Sequence, residues 1–316
     1  MTSTTLTFPS GDLTLAGTLT TPTGTGPFPA AVLVSGSGPI DRDSNMKRAR
    51  LDVMAQVADH LAASGIASLR YDKRGIGESE GDYKAAGFFD NLADARAALD
   101  ALEQQDAVDP GRLFVVGHSE GALIATELAA DEPPAGVVLL AGAAQPGTQV
   151  LRWQARGLAE TLPAPARFVM KVLRQDLVKT NDKRLAQLEA TTGDTARMQM
   201  VKVNAKWFRE FMAHDPAESF TKVVVPVLAI TGSKDVQVDP DDVATMESLA
   251  PTSFTGHVLD DLTHLLRTDD GPKGTKTYKA QMKRPVDAQL LTLVSDWIHG
   301  HRAEADTGAG ANHVGA

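Results

Sequence analysis

The chain has 316 residues, 42% apolar and 22% charged, a composition that suits a folded globular protein and excludes a disordered one. A net charge of −9 leaves no overall positive field to collect nucleic acid or anionic lipid, so neither partner is expected. Cysteine is absent, which removes disulfides, thiolate metal sites and a cysteine nucleophile together.

Residues 1–8 lack the basic and apolar regions of a signal peptide, and no later apolar run is long enough to span a bilayer. The expectation is a cytoplasmic protein without membrane association; a homodimer is left open.

In chain order, residues 6–8 and 13–20 flank Ser10-Gly11-Asp12 and read as an antiparallel hairpin on one sheet edge, followed by a turn-rich stretch over 22–29. Short apolar runs at 30–34, 66–71, 112–116, 136–140 and 225–230 suit strands buried on both faces. Between them Leu51, Met54, Ala58 and Leu61, and then Phe88, Leu92, Ala95, Leu99 and Leu102, recur at helical spacing; Leu290, Val294, Trp297 and Ile298 supply a closing helix. Strands alternating with helices need crossover connections, so the expected fold class is α/β, with a mostly parallel sheet and helices on both faces.

Over 145–220 the alternation stops and helical patterns take over, with apolar clusters at Leu151/Trp153, Phe168/Val169/Val172/Leu173 and Trp207/Phe208/Phe211/Met212. This predicts a core domain of residues 1–144 and 221–302, a helical cap inserted at 145–220, and a disordered tail at 303–316.

Gly117-His118-Ser119-Glu120-Gly121 fits G-x-S-x-G and lies between a predicted strand at 113–116 and a helical stretch at 122–130. A sharp strand-to-helix turn needs small flanking residues and holds the serine strained and exposed. The plainer alternative is a serine that only caps the helix. Gly77-Glu78-Ser79-Glu80-Gly81 matches the same pattern but follows a turn, so Ser79 receives little weight as a nucleophile.

A serine needs a base, and the base a carboxylate to fix its tautomer. Asp235 follows the run at 225–230, and His264 follows a strand-like 257–259; both fall on loops at the C-terminal edge of the sheet, where sites gather. Taken singly, Asp235 reads as a turn or ion-pair residue and His264 as a solvated loop residue. Together they complete the order Ser119, Asp235, His264. Backbone amides of Glu120 and of Ser37, in the glycine-rich Ser35-Gly36-Ser37-Gly38-Pro39, are the expected oxyanion donors.

These residues resemble the α/β-hydrolase superfamily, in particular carboxylesterase and serine aminopeptidase-like, dienelactone-hydrolase-related bacterial members. The resemblance is carried by Ser35 to Pro39 with Asp41-Arg42-Asp43, by Arg70-Tyr71-Asp72-Lys73-Arg74-Gly75-Ile76-Gly77, and by Gly232-Ser233-Lys234-Asp235, and covers about residues 6–299. One departure is Ser35, where many relatives carry histidine; Asp41, Arg42 and Asp43 are read as pairing over the loop in its place. That trio could instead recognise substrate or, with Asp72, hold a cation, but a solvated loop network is preferred, and no metal or cofactor is expected. The basic stretch Lys171, Arg174, Lys179, Lys183 and Arg184 reads as a solvated helix face rather than a site for an anionic substrate such as an acyl-CoA.

The expected chemistry is hydrolysis of an uncharged small-molecule carboxylic ester of short to medium acyl length through an acyl-enzyme. Ser119 is the nucleophile, His264 the base and Asp235 its orienting carboxylate. Trp207, Phe208 and Phe211 line the acyl pocket or, alternatively, form cap core. Amide cleavage by the same triad is the enzymatic rival. A non-catalytic ligand binder is the other, and it has no need of a triad.

Overall fold

The computed structural model describes residues 1–162, 176–250 and 253–301. The predicted edge hairpin forms strands β1 (Thr2–Ser10) and β2 (Leu13–Thr21), antiparallel, turning at Gly11 with φ 58°. The apolar runs become β3 (Phe28–Val34), β4 (Ala67–Tyr71), β5 (Val108–His118) and β6 (Gly136–Leu140). With the two strands β9 (Val227–Gly232) and β10 (Phe254–Leu259), they make one eight-stranded sheet in the order β1-β2-β4-β3-β5-β6-β9-β10. Every neighbouring pair from β4 to β10 is parallel, while β2 joins β4 antiparallel, with Leu19 opposite Leu69.

Alternation along each strand divides the apolar residues between two layers. On β3, Val32 and Val34 face one layer and Ala31 and Leu33 the other. The first layer is closed by α2 (Phe88–Glu103) and α3 (Glu120–Asp131), whose Ala95, Leu102, Ile124 and Leu128 are buried there. The second is closed by α1 (Val53–Ala63) and the final helix α10 (Ala288–Gly300), through Met54, Val57, Leu61, Leu290, Val294 and Ile298. The molecule has an α/β-hydrolase fold, a mostly parallel sheet sandwiched by helices.

Between β6 and β9 the chain leaves the sheet. It forms α4 (Gly147–Thr161), α5 (Leu177–Glu189), α6 (Ala205–Ala213) and α7 (Pro216–Phe220), and a separate antiparallel pair, β7 (Thr195–Met198) and β8 (Val201–Asn204). The hairpin departs from the all-helical reading. Its two turn residues, Gln199 and Met200, hold positive φ of 46° and 68° without the Gly or Asn that marks such turns. Leu185, Leu188, Ala205 and Met212 form a small core of the insert's own. Lys179, Lys183 and Arg184 are exposed on α5, as a solvated face requires. Phe168, Val169, Lys171, Val172, Leu173 and Arg174, and the tail at 303–316, lie outside the described residues.

The insert is tied to the chain ahead of α2 and to its first turn: Asn204 Nδ2 donates to the carbonyls of Tyr83 (2.9 Å) and Ala86 (2.6 Å), and Lys206 pairs with Asp90 at 2.7 Å. No described helix is long and apolar enough to cross a membrane. The last helices before α10 are α8 (Asp242–Leu249) and α9 (Tyr278–Gln281).

Candidate active site

β5 ends at His118 and α3 begins at Glu120, so Ser119 alone makes the turn, at φ 56° and ψ −116°. A non-glycine residue at such angles is strained and persists only where its surroundings over-determine it. The surroundings here are backbone. A Cβ on Gly117 would lie 2.0 Å from the carbonyl oxygen of Gly121, and one on Gly121 would lie 2.1 Å from that of Val34. Both glycines are thus required by close approach, and the Ser119 amide is anchored by donating to Leu140 O at 2.9 Å.

Asp235 follows β9 and is fully buried. Its Oδ1 accepts the amides of Gln237 (2.7 Å) and Val238 (3.0 Å), which leaves Oδ2 to accept His264 Nδ1–H at 2.8 Å. The opposite ring nitrogen of His264, Nε2, lies 3.1 Å from Ser119 Oγ. With Nδ1 protonated by that pairing, Nε2 is free to accept the serine proton. Three residues spread over 145 positions of sequence therefore form one hydrogen-bonded chain at the ends of β5, β9 and β10.

The loop holding His264 is stiffened from below. Arg267 is 1% exposed, and its guanidinium donates to the carbonyls of Leu265 (2.6 Å), Leu51 (2.5 Å) and Arg284 (2.9 Å). Burial lowers its pKa from the usual 12.5. A second support is His118, which sequence reasoning passed over as a free position of the motif. Its Nε2 donates to the His264 carbonyl at 2.9 Å, and burial, aided by the neighbouring His264, pushes it down to about 3. It is therefore neutral near pH 7.

Glu120 opens α3, and its amide, like the others of a first helical turn, has no acceptor within the helix. The loop carrying Ser37 lies beside the serine: a Cβ on Gly36 would sit 3.3 Å from that of Ser119. The Glu120 side chain does something the sequence did not disclose. Almost fully buried, it accepts from Lys73 Nζ (2.7 Å), Asn91 Nδ2 (3.1 Å) and the indole N–H of Trp207. The residue after Ser119 thus binds the insert.

Asp41, Arg42 and Asp43 do not point at Ser119. Arg42 pairs with Asp72 (2.5 Å) and Glu78 (2.7 Å) and donates to Gly17 O, while Asp43 accepts from Arg70 at 2.7 Å. Asp41 accepts two amides of its own loop, and Ser35 Oγ bonds Ser44 Oγ at 3.2 Å. The trio is a partly buried frame fastening the loop to β2 and β4, rather than a solvated network. Arg42 and the Glu78 amide occupy the Asp72 carboxylate. Among the described residues no group of three or more His, Asp or Glu could hold a metal ion. Ser79 is buried, donating to Asp72 O and accepting from Ala16 N, so the second G-x-S-x-G match is a structural lock.

Among the described residues, two cavities meet at Ser119. One, of about 290 Å³, has mainly apolar walls including Ile40, Met46, Leu51, Leu265 and Met282, together with Ser37, His118 and His264. The other holds only about 30 Å³, between Ser37, Glu120, Leu123, Val150, Trp207 and Phe211. Trp207 and Phe211 stack at 4.7 Å in its wall, whereas Phe208 packs against the insert's own core. A third space of about 500 Å³ adjoins them through Val150, Val238 and Gln237 and is polar, with Arg152, Arg156, Asp239 and Asp242.

The family model for serine aminopeptidases of the S33 type matches residues 50–271, a span that includes Ser119, Asp235 and His264. The chain belongs to this family. It is 29% identical over 291 residues to an esterase, EstD, of Thermotoga maritima, covering 90% of this chain and 65% of that protein. It is also 38% identical over 104 residues to an uncharacterized protein of Mycobacterium tuberculosis, covering 33% of this chain and 36% of that one. The chain thus spans less than two thirds of the length of these relatives. Among solved structures, Est1E of Butyrivibrio proteoclasticus with bound ferulic acid superposes with a TM-score of 0.60 at 17% identity, covering 93% and 96% of the two chains. Proline iminopeptidase of Mycobacterium smegmatis does so at 0.61 and 16%, covering 94% and 98%. These two likenesses establish the fold.

Proposed function

We propose that this family member hydrolyses uncharged carboxylic esters through an acyl-enzyme on Ser119. The observation that carries the proposal is the unbroken chain from Asp235 through His264 to Ser119, presented on a strained elbow at the mouth of an apolar cavity. Ser119 Oγ bonds to the carbonyl carbon as its proton passes to His264 Nε2. The tetrahedral oxyanion is stabilised by the amides of Glu120 and Ser37. The carbon–alkoxide bond then breaks, His264 returns the proton to the departing alcohol, and water, deprotonated in turn by His264, releases the acid.

The likeness to an esterase over most of the chain supports an ester over an amide, and so does the apolar cavity of about 290 Å³, which has no carboxylate among its described lining residues to receive a peptide's amino terminus. Amide cleavage is the second reading. It is favoured by Asp239 and Asp242 on the adjoining polar space, although burial pushes the Asp242 carboxyl up to about 6. The deciding experiment is incubation with a fluorophosphonate probe, mass-spectrometric mapping of the adduct, and comparison of matched ester and anilide substrates. Modification of Ser119 in folded but not in heat-denatured protein, with ester turnover dominant, is expected. Absence of labelling would overturn the proposal, and dominant anilide turnover would move it to the second reading.

A further inference from the structure

The two cavities at Ser119 are unequal, and the direction of proton transfer tells them apart. In acyl transfer to serine, the base that took the hydroxyl proton must hand it to the leaving oxygen, so the alcohol portion of an ester lies on the side of the histidine. His264 borders the cavity of about 290 Å³. It does not appear in the described lining of the cavity of about 30 Å³, which is bounded instead by Glu120, while Ser37 borders both spaces.

Resting on the ester-hydrolase reading above, we infer that the substrates are short-acyl esters of bulky apolar alcohols. The acyl group enters the small space closed by Trp207 and Phe211, and the alcohol occupies the cavity walled by Ile40, Met46, Leu51, Leu265 and Met282. At about 10–15 Å³ per water-sized group, 30 Å³ admits two or three heavy atoms beyond the carbonyl, a propionyl or at most a butyryl group. The larger space approaches the roughly 300 Å³ at which small-molecule sites begin, and its apolar side chains suit a hydrocarbon rather than a sugar or a phosphate.

The small cavity is held small by bonded structure. Trp207 is tethered through its indole N–H to the Glu120 carboxylate, which Lys73 fixes in turn. Phe211 is buried, stacked on Trp207 and set edge-to-face against Phe88 at 6.2 Å. A longer acyl chain would have to displace this assembly. This reassigns Trp207 and Phe211 from the wall of a medium-chain pocket to the stop that limits chain length, and makes Met282 and Leu51, on the opposite side, the residues that accommodate substrate bulk.

Two isomeric esters test the inference on the unaltered protein: octyl acetate and methyl nonanoate share a molecular formula and differ only in which side of the ester carries the chain. The expected result is a kcat/KM for octyl acetate at least about tenfold above that for methyl nonanoate, the order of discrimination a tight apolar pocket provides. Phe211→Ala, which opens the small cavity, should raise methyl nonanoate relative to octyl acetate. Met282→Trp, which fills the large one, should lower octyl acetate relative to ethyl acetate. Equal rates or the reverse order in protein that labels at Ser119 would overturn the subsite assignment and leave ester hydrolysis standing. Turnover of neither ester, with no labelling, would overturn both.

Discussion

The sheet and the insert that interrupts it are built to different standards. Along β3, Ala30 to Val34 are at most 1% exposed, and the elbow at Ser119 is wedged between backbones that leave no room for a single added carbon. In the insert, α5 buries only Leu185 and Leu188, and Met200 and Val201 in the hairpin are 92% and 61% exposed. Close-packed interiors hold atoms to fractions of an ångström because any shift forfeits contacts. The groups that need exact mutual distances, Ser119, His264 and Asp235, therefore all sit at ends of sheet strands. The insert contributes walls, whose positions can drift further without loss of chemistry, and it reaches the elbow through the Glu120–Trp207 bond.

Changes at the sheet ends should be severe in activity, and changes in the insert mild. Ser119→Ala should lower ester turnover by roughly 10⁶-fold, as loss of a nucleophile does in serine hydrolases, with circular dichroism unchanged. Retained turnover would show that the elbow is only structural. Asp235→Asn, which presents the wrong tautomer of His264, should lower kcat by about 10⁴-fold while fluorescence-monitored urea unfolding shifts little. A drop smaller than about tenfold would show that another group orients His264.

Where the two regions join, the effect should appear in stability. Glu120→Leu leaves the Lys73 ammonium, 6% exposed, without its partner, and should destabilise the fold by about 3–5 kcal/mol in urea. Lys73→Met added to it should recover most of that loss. If the double change is no better than the single, the loss comes from the Trp207 and Asn91 donors left without their acceptor rather than from the buried Lys73 charge.

His118 sharpens the comparison by pH. Its folded pKa of about 3 lies below the ordinary 6.5, so below 6.5 the unfolded chain binds a proton that the folded chain refuses, and stability falls as pH drops from 6.5 toward 3. In His118→Gln this contribution disappears. Urea midpoints should therefore decline less steeply for the variant than for the parent across that window, and parallel declines would assign the acid sensitivity to other groups. The smallest effect is expected in the insert, where Arg152 and Asp182 pair at 2.8 Å with about half of each side chain exposed. Arg152→Ala should change stability by less than about 1 kcal/mol in the same assay.

The strand runs, the amphipathic helices and the elbow were legible from the sequence because each is a local pattern: a buried strand writes a continuous apolar run, and a strand–turn–helix needs its glycines within five positions. Asp235 and His264 were legible by chain order and by their place after strands. The β7–β8 hairpin was not, because Gln199 and Met200 adopt left-handed angles without the residues that usually signal them. Nor were the supports of the site. His118 meets the His264 carbonyl across 146 residues, and Glu120 meets Trp207 across 87, and no local pattern records which distant group a buried polar side chain will find. Apolar composition likewise identified Trp207, Phe208 and Phe211 as candidates for a wall but could not say that only two of them reach Ser119, or how much space lies in front of them. The sequence alone determined the class of fold and singled out Ser119, Asp235 and His264, the three residues that the structure joins by hydrogen bonds, since both follow from periodicity and order. Only the tertiary structure decided the sizes of the two cavities and the side of the serine on which each lies, since a volume is set by what several separate segments leave unfilled between them.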